Sequence, residues 1–363
     1  MNIVVVSSND RCGIREYSQV LINGLEQLGH SARYIGVTPH DNQDLAEKIN
    51  QVSSDDDTII IEYEPGIFWL FGLIKTMIWL RLRRPVRILL SIHEIEPEKY
   101  PEYRQTLWFF GRAVEKSWWS EFSLLILSAG KVLLNLFTLR IGLLLLGILP
   151  HKIIIHSPQA AHNLQIVSVD TEKIANIPLT IQTEPGSRLD ARQMLDIGES
   201  PFIFISPGFL FRRKRLLDVA EALPENAELW IVGTASHFDP GYIVDLEAYI
   251  AQNPQRRVRL IQDYDNMPNY LMAADAVVLY YESVYQSAVV GMAIGAGKPC
   301  IFTKLPAFEY LSQAGLSVQT FSELHRAMVD IQQPDIYHEL AQGTQELQQQ
   351  YSPEAIAREY LKL

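Results

Sequence analysis

The sequence predicts an α/β chain of two domains, each built on a mostly parallel sheet, and three observations lead there. At 363 residues the chain exceeds what one ordinary α/β domain encloses around a single core and suits two. Short β-branched runs alternate with helical stretches, a pattern whose crossovers force neighbouring strands to run parallel. The alternation also restarts after a polar, proline-bearing stretch at 176–200, where few side chains could hold a core together.

In the first half, Ile3 to Val6, Ala32 to Val37, Thr58 to Glu62, Arg87 to Ile92 and Lys152 to His156 read as strands, with a helix from Arg15 to Leu28 after the first. The opening MNIVVV enters a strand directly, with no basic leader and no small-residue cleavage site, so no signal peptide is expected. In the second half the strands are Phe202 to Ser206, Glu228 to Val232, Arg257 to Ile261, Ala276 to Tyr280 and Cys300 to Thr303. The domain boundary is expected near Leu179, giving domains 1–178 and 179–351. Residues 352–363 form an amphipathic pattern opened by Ser352-Pro353, a helix expected to pack back on the first domain.

Composition narrows the partners. With 31 basic and 42 acidic residues the net charge is −11, which disfavours a phosphate-neutralising surface and so excludes general nucleic-acid binding. Cys12 and Cys300 lie far apart with no histidine or cysteine at ligand spacing, so neither a disulfide framework nor a cysteine zinc site is expected, and a reducing cytoplasm fits. Between Lys75 and Lys152, however, twelve basic residues face six acidic ones, a local +6 that leaves −17 for the remainder. A surface of that sign suits an anionic partner.

Open parallel sheets bind ligands beyond the carboxyl ends of their strands, so the loops there are where chemistry is sought. After the first strand, Gly13, Arg15, Glu16 and Tyr17 open a helix whose N-terminal amides could receive an anion or a sugar hydroxyl. Glu62 and Glu64 end one strand, and His93-Glu94 follows another, where an imidazole can hydrogen-bond a hydroxyl or a phosphate oxygen. In the second half Gly208 precedes four consecutive cations, Arg212 to Arg215; Arg212 and Lys214 are the two expected to point inward and neutralise a diphosphate as its charge develops. Beyond the fourth strand of that half, Glu282, Gln286, Ser287, Ala288 and Val289 lead into a small-residue helix whose first amides can approach phosphates closely. No Ser-His-Asp or paired-carboxylate signature accompanies them.

Together these residues resemble the retaining glycosyltransferases of family 4, the group 1 glycosyl transferases, over most of the chain. RCGIREY with Leu28-Gly29-His30, IEYEPGIFW, SIHE and His156-Ser157 resemble that family's N-terminal features. GFLFRRK with Lys214, LWIVGT, the loop Asp263 to Leu271 with Tyr264, and AADAVVLYYES resemble its C-terminal ones. Where the family carries two glutamates, this chain has Val284 and Met292; Glu282 lies just before, and Gln286-Ser287-Ala288 resembles a Q-S-G-like turn. The resemblance implies the GT-B fold, two Rossmann-like domains whose parallel sheets face a central cleft, with an acceptor on the first and a nucleotide sugar on the second. It implies transfer of a hexosyl group with retention of configuration to a saccharide or lipid-linked acceptor, with no metal, no other cofactor and no protein nucleophile. His93, Arg212 and Lys214 would serve the chemistry. Gly13, Gly208, Tyr264, Glu282, Gln286, Ser287, Ala288 and Val289 would hold the donor, and Arg15, Glu16, Tyr17, Glu64 and Glu94 the acceptor. A non-catalytic GT-B binding protein and a GT-B sugar-nucleotide epimerase are the alternatives.

Phe122 to Leu149 is apolar except for Lys131 and Arg140, which divide it into runs too short to span a bilayer. Two readings stay open: a buried helical hairpin, or a monotopic element of the 67–149 region resting on an anionic inner membrane face. Trp69, Trp79, Trp108, Trp118 and Trp119 and the run Arg81-Leu82-Arg83-Arg84 favour the second.

Overall fold

The computed structural model describes residues 1–10, 12–38, 45–54, 57–65, 67–93, 141–157, 160, 164, 169–236, 239–284 and 287–363. The chain divides into two compact units, Met1–Pro178 with Ile356–Leu363, and Leu179–Ala355.

The first unit carries a six-stranded parallel sheet in the order β2-β1-β3-β4-β5-β6. Its strands are β1 (Asn2–Ser8), β2 (Ser31–Val37), β3 (Thr58–Tyr63), β4 (Arg87–Ile92), β5 (Lys152–Ile155) and β6 (Ile174–Asn176). β3 and β4 are almost wholly buried, as expected of strands covered on both faces, and their side chains alternate between two cores. Ile59, Ile61, Tyr63, Leu90, Ile92 and Ile155 face the core completed by the helix Leu70–Arg83. The opposite face is covered by the helix Gly13–Gln27, which buries Tyr17, Leu21 and Leu25 at helical spacing. The helix Pro353–Lys362 also contributes, burying Ile356, Ala357 and Tyr360. His156, expected in the fifth strand, lies one residue past its end. β6 is three residues long and partly exposed, too short for periodicity to announce.

The second unit carries its own parallel sheet of six strands, ordered β12-β11-β10-β7-β8-β9. The strands are β7 (Phe202–Pro207), β8 (Ala227–Val232), β9 (Val258–Ile261), β10 (Ala276–Leu279), β11 (Cys300–Thr303) and β12 (Gly315–Val318). At the amino ends of the strands Asp275 ties the unit together. It accepts from Ile203 N at 2.7 Å, from Arg192 Nη2 at 2.7 Å and from Arg188 Nε at 2.5 Å. Arg192 is only 1% exposed and is satisfied further by the carbonyls of Ala273 and Gly198.

Among the described residues no helix is long and apolar enough to cross a membrane. Most of the 122–149 segment lies outside them; its end, 141–148, is helical and buries Leu143 and Leu146 in the first core.

Candidate functional site

In the second sheet the strand order reverses between β7 and β10, so the loops leaving those two strands diverge and open a crevice at their carboxyl ends. The loop after β7 turns at once. Gly208 N–H donates to Val232 O at 2.8 Å and adopts φ +96°, a conformation that glycine reaches without strain. A Cβ on Gly233 would lie 2.1 Å from Gly208 O, so the loops after β7 and β8 pack backbone against backbone.

Arg212–Lys214 then forms one 3-10 turn, and Arg215 with φ 51° redirects the chain into the helix Leu216–Ala222. Successive side chains of so tight a turn point about 120° apart, and the cations separate accordingly. Arg212 pairs with Asp239 at 3.2 Å, pairs with Asp245 as well, and lies over the Tyr242 ring. Lys214 folds back instead. Its Nζ donates to Pro207 O at 2.8 Å, sits 5.5 Å from the centre of the Tyr281 ring, and lies 3.1 Å from where a Cβ of Gly208 would be. Burial, with a smaller contribution from the neighbouring Arg213, lowers the Lys214 ammonium to about 7. The structure therefore brings Lys214 beside Gly208, leaves Arg212 with its carboxylates and sets the exposed Arg213 over the Phe211 ring. Of the three residues in the turn only Lys214 is buried.

The loop after β10 supplies the other wall. Tyr281 is buried, its phenol pushed up by burial and hydrogen-bonded to Ser287. Ser287 stands just before the helix Ala288–Gly295 without a side-chain capping bond to it, and Val289 Cγ2 lies 3.1 Å from the same empty Cβ position of Gly208. Gly208, Lys214, Ser287 and Val289 thus converge, with Ala288 exposed at the first turn of that helix. At its other end the small residues serve packing: a Cβ on Gly295 would lie 2.2 Å from Gln182 O. Glu282 is exposed, its backbone N–H donating to Arg213 O at 2.7 Å, and Gln286 lies outside the described residues. Tyr264 stacks on Phe209 with ring centres 5.5 Å apart, and Phe209 is 48% exposed. Val284 and Met292 pack against apolar core.

In the first unit Gly13 begins the first helix, with Cys12 extended ahead of it. Arg15 holds the incoming loop through Asn9 O at 2.5 Å, and Glu16 is exposed in the first turn. Tyr17 is turned toward the sheet rather than the loop, its hydroxyl 2.8 Å from that of Tyr360. The Glu64 carbonyl accepts from Ile67 and Phe68, closing the turn after β3. Glu94 lies outside the described residues. His93 joins a group that the sequence did not assemble: its Nε2 is 2.7 Å from Oε2 of the buried Glu62, and its ring centre is 4.7 Å from that of His156. His156 Nδ1 is 2.8 Å from Ile177 O, a pure acceptor, so that nitrogen carries the proton and Nε2 accepts from Ser91 Oγ at 2.9 Å. Burial, and then His93, holds His156 well below the ordinary imidazole range.

No family model and no curated protein matches this sequence. Solved structures do. Anabaena HepE in complex with UDP is 16% identical, with 100% of this chain and 99% of that one covered at a TM-score of 0.71. HepE has also been solved with UDP-glucose. Sucrose-phosphate synthase from Thermosynechococcus elongatus is 15% identical, with coverage of 100% and 98% and a TM-score of 0.65. WaaG, a glycosyltransferase involved in lipopolysaccharide biosynthesis, is 13% identical, with coverage of 99% and 98% and a TM-score of 0.59. At such identities the likeness establishes the fold, which is GT-B: two Rossmann-like domains, each on a parallel sheet.

Proposed function

We propose that this GT-B chain is a glycosyltransferase that moves a hexosyl group from a nucleoside diphosphate sugar to a saccharide or lipid-linked acceptor. The observation that carries the reading is Lys214, a buried ammonium held at the β7–β10 crevice, 3.1 Å from the Cβ position of Gly208. There it would meet a diphosphate, with the amides of Ala288 and Val289 at a helix N-terminus as further donors. The stacked pair Phe209 and Tyr264 offers the nucleobase a flat face. UDP is the first nucleotide to test, because HepE was solved with UDP and with UDP-glucose.

In this reading the reaction retains configuration, and the departing diphosphate accepts the acceptor's proton. The protein then needs no nucleophile and no metal at the diphosphate. Its share is charge stabilisation by Lys214 and Arg213; Arg212 would join only by leaving Asp239 and Asp245. His93 would orient the reacting groups, and Arg15, Glu16 and Glu64 would bind the acceptor. The test is turnover of UDP-glucose, as hydrolysis or transfer, that vanishes in Lys214→Ala; an inverted anomer in the product would overturn retention.

Val284 and Met292, both packed on apolar core, favour a second reading in which nucleotide is bound without turnover. Tight UDP binding with neither hydrolysis nor transfer would select it. The proposal also places the protein in the cytoplasm against an anionic membrane. On the helix Leu70–Arg83 the side chains of Phe71 (43%), Ile78 (37%) and Leu82 (81%) are exposed, with Arg81 and Arg83 on the same helix. Flotation with anionic liposomes at low salt tests it, and failure to co-migrate would remove the membrane from the reading.

A further inference from the structure

Alternation along β3, β4 and β5 sends Glu62, Ser91, His93 and His156 to one face of the first sheet, at the carboxyl ends of three adjacent strands. That face is closed by the helices carrying Tyr17 and Tyr360. Beneath them lies a carboxylate that is fully buried, Glu62, and its charge is only half accounted for. Oε2 meets His93, whereas Oε1 has no hydrogen-bond partner among the described residues. A buried carboxylate oxygen left bare costs several kcal/mol of desolvation in the general case, so a partner of positive charge is wanted there.

The neighbours of that oxygen are suited to supply one. Glu62, His93 and His156 each offer one ligand atom, and these atoms lie within 4.8 Å of one another. His156 meets the outer requirement of a metal-bound imidazole: its Nδ1–H is fixed on Ile177 O, which directs the Nε2 lone pair to the same face as Glu62. One carboxylate and two imidazoles are a donor set that zinc and its neighbours accept, usually with a further open position. His93, whose side chain is 8% exposed while that of Glu62 is 0%, is the member on the solvent side.

We propose that Glu62, His93 and His156 bind one divalent transition-metal ion of the zinc class. Ligand atoms around zinc stand about 3.4 Å apart when each is about 2.1 Å from the metal. The 2.7 Å contact between His93 and Glu62 therefore opens as the ion takes the place of the proton between them. One M2+ enters and the proton of the His93–Glu62 contact leaves for solvent, so the site gains one unit of positive charge, which the Glu62 carboxylate faces; no redox step is involved. Ser91 Oγ, released from His156 Nε2, remains nearby as an outer donor. The site belongs to the first unit and shares His93 with the reaction proposed above, so a bound ion takes that imidazole out of substrate binding.

The experiment uses the full chain, stripped with chelator and titrated with Co2+. One equivalent should saturate a visible d–d spectrum of a low-coordinate nitrogen and oxygen site, Zn2+ should displace it, and Zn2+ should raise Tm. In wild-type protein the 15N resonances of the His93 and His156 rings should shift together on adding Zn2+. Glu62→Gln keeps the side-chain shape without the charge, and His156→Asn keeps a donor toward Ile177 O. Each should weaken Co2+ binding by at least about 100-fold while apo Tm stays near that of the parent. No saturable spectrum, unmoved histidine resonances, or a spectrum unchanged in both variants would overturn the assignment. UDP binding should be the same with and without Zn2+.

Discussion

The ammonium of Lys214 lies 3.1 Å from the point where a side chain on Gly208 would begin. A cation and a bare stretch of backbone therefore share the mouth of β7. The same Lys214 is lowered to about 7 by burial, so its charge is only half present at neutral pH until an anion restores it.

Affinity for UDP-glucose should fall as pH rises through 7. If binding requires the ammonium, Kd at pH 8 is about fivefold weaker than at pH 7, and binding above pH 7 takes up a proton. Calorimetry in buffers of different ionisation enthalpy measures both. Stability responds in the opposite sense. In the unfolded chain the lysine titrates at its ordinary 10.5, so between about 7 and 10.5 the unfolded state binds more protons and the contribution to stability grows with pH. Lys214→Met removes that penalty, and its Tm at pH 7 should equal or exceed that of the parent while turnover is lost.

Glycine substitutions at the crevice should rank by what a Cβ meets. Gly208→Ala meets movable side-chain atoms and a positive φ, a cost of about 1–3 kcal/mol with a raised Kd for UDP. Gly233→Ala drives a methyl group into the Gly208 carbonyl, which cannot yield without moving the loop, and should be the more destabilising of the two. Urea midpoints of both proteins give the order.

Asp275→Ala should be severe in stability and silent at the ligand. It strands Arg192, which is 1% exposed, and breaking a buried pair of this kind costs about 3–5 kcal/mol. Because Asp275 sits at the amino ends of β7 and β10, the Kd for UDP of whatever remains folded should be unchanged. Chemical denaturation with a parallel nucleotide titration separates the two effects.

Acid should loosen the first unit through His156. Burial and His93 keep the folded imidazole well below 6.5, its ordinary value and the one it takes in the unfolded chain. The stability it contributes is complete above 6.5 and is lost as pH falls below, since only the unfolded state then takes the proton. The urea midpoint should fall between about pH 7.5 and 5.5, and less steeply in His156→Asn.

Much of this was legible in the sequence. Buried parallel strands announce themselves as β-branched runs, so β1 to β5 and β7 to β11 could be read within a few residues. β6 and β12 could not, being three and four residues long without alternation. At the sites the sequence supplied residue types but not directions. Lys214 followed from its place after a strand and a glycine, whereas the diversion of Arg212 to Asp239 and Asp245 needed partners 27 and 33 residues away. Glu62 looked like the end of a strand, and only the lateral register of three strands sets it beside His93 and His156. Tyr17 looked like a loop-side ligand, because its position in the first turn of a helix does not reveal that Tyr360 waits beneath it.

The hydroxyls of Tyr17 and Tyr360 meet across 343 residues of sequence, and this has a consequence for synthesis. A ribosome must make all of Leu179–Ala355 before it delivers Ile356–Leu363, the segment that completes the first unit. The first sheet therefore waits with one face partly uncovered while the second unit folds. That interval is when chaperones have most to hold, and a message broken off after residue 355 would yield a well-formed second unit attached to an unfinished first.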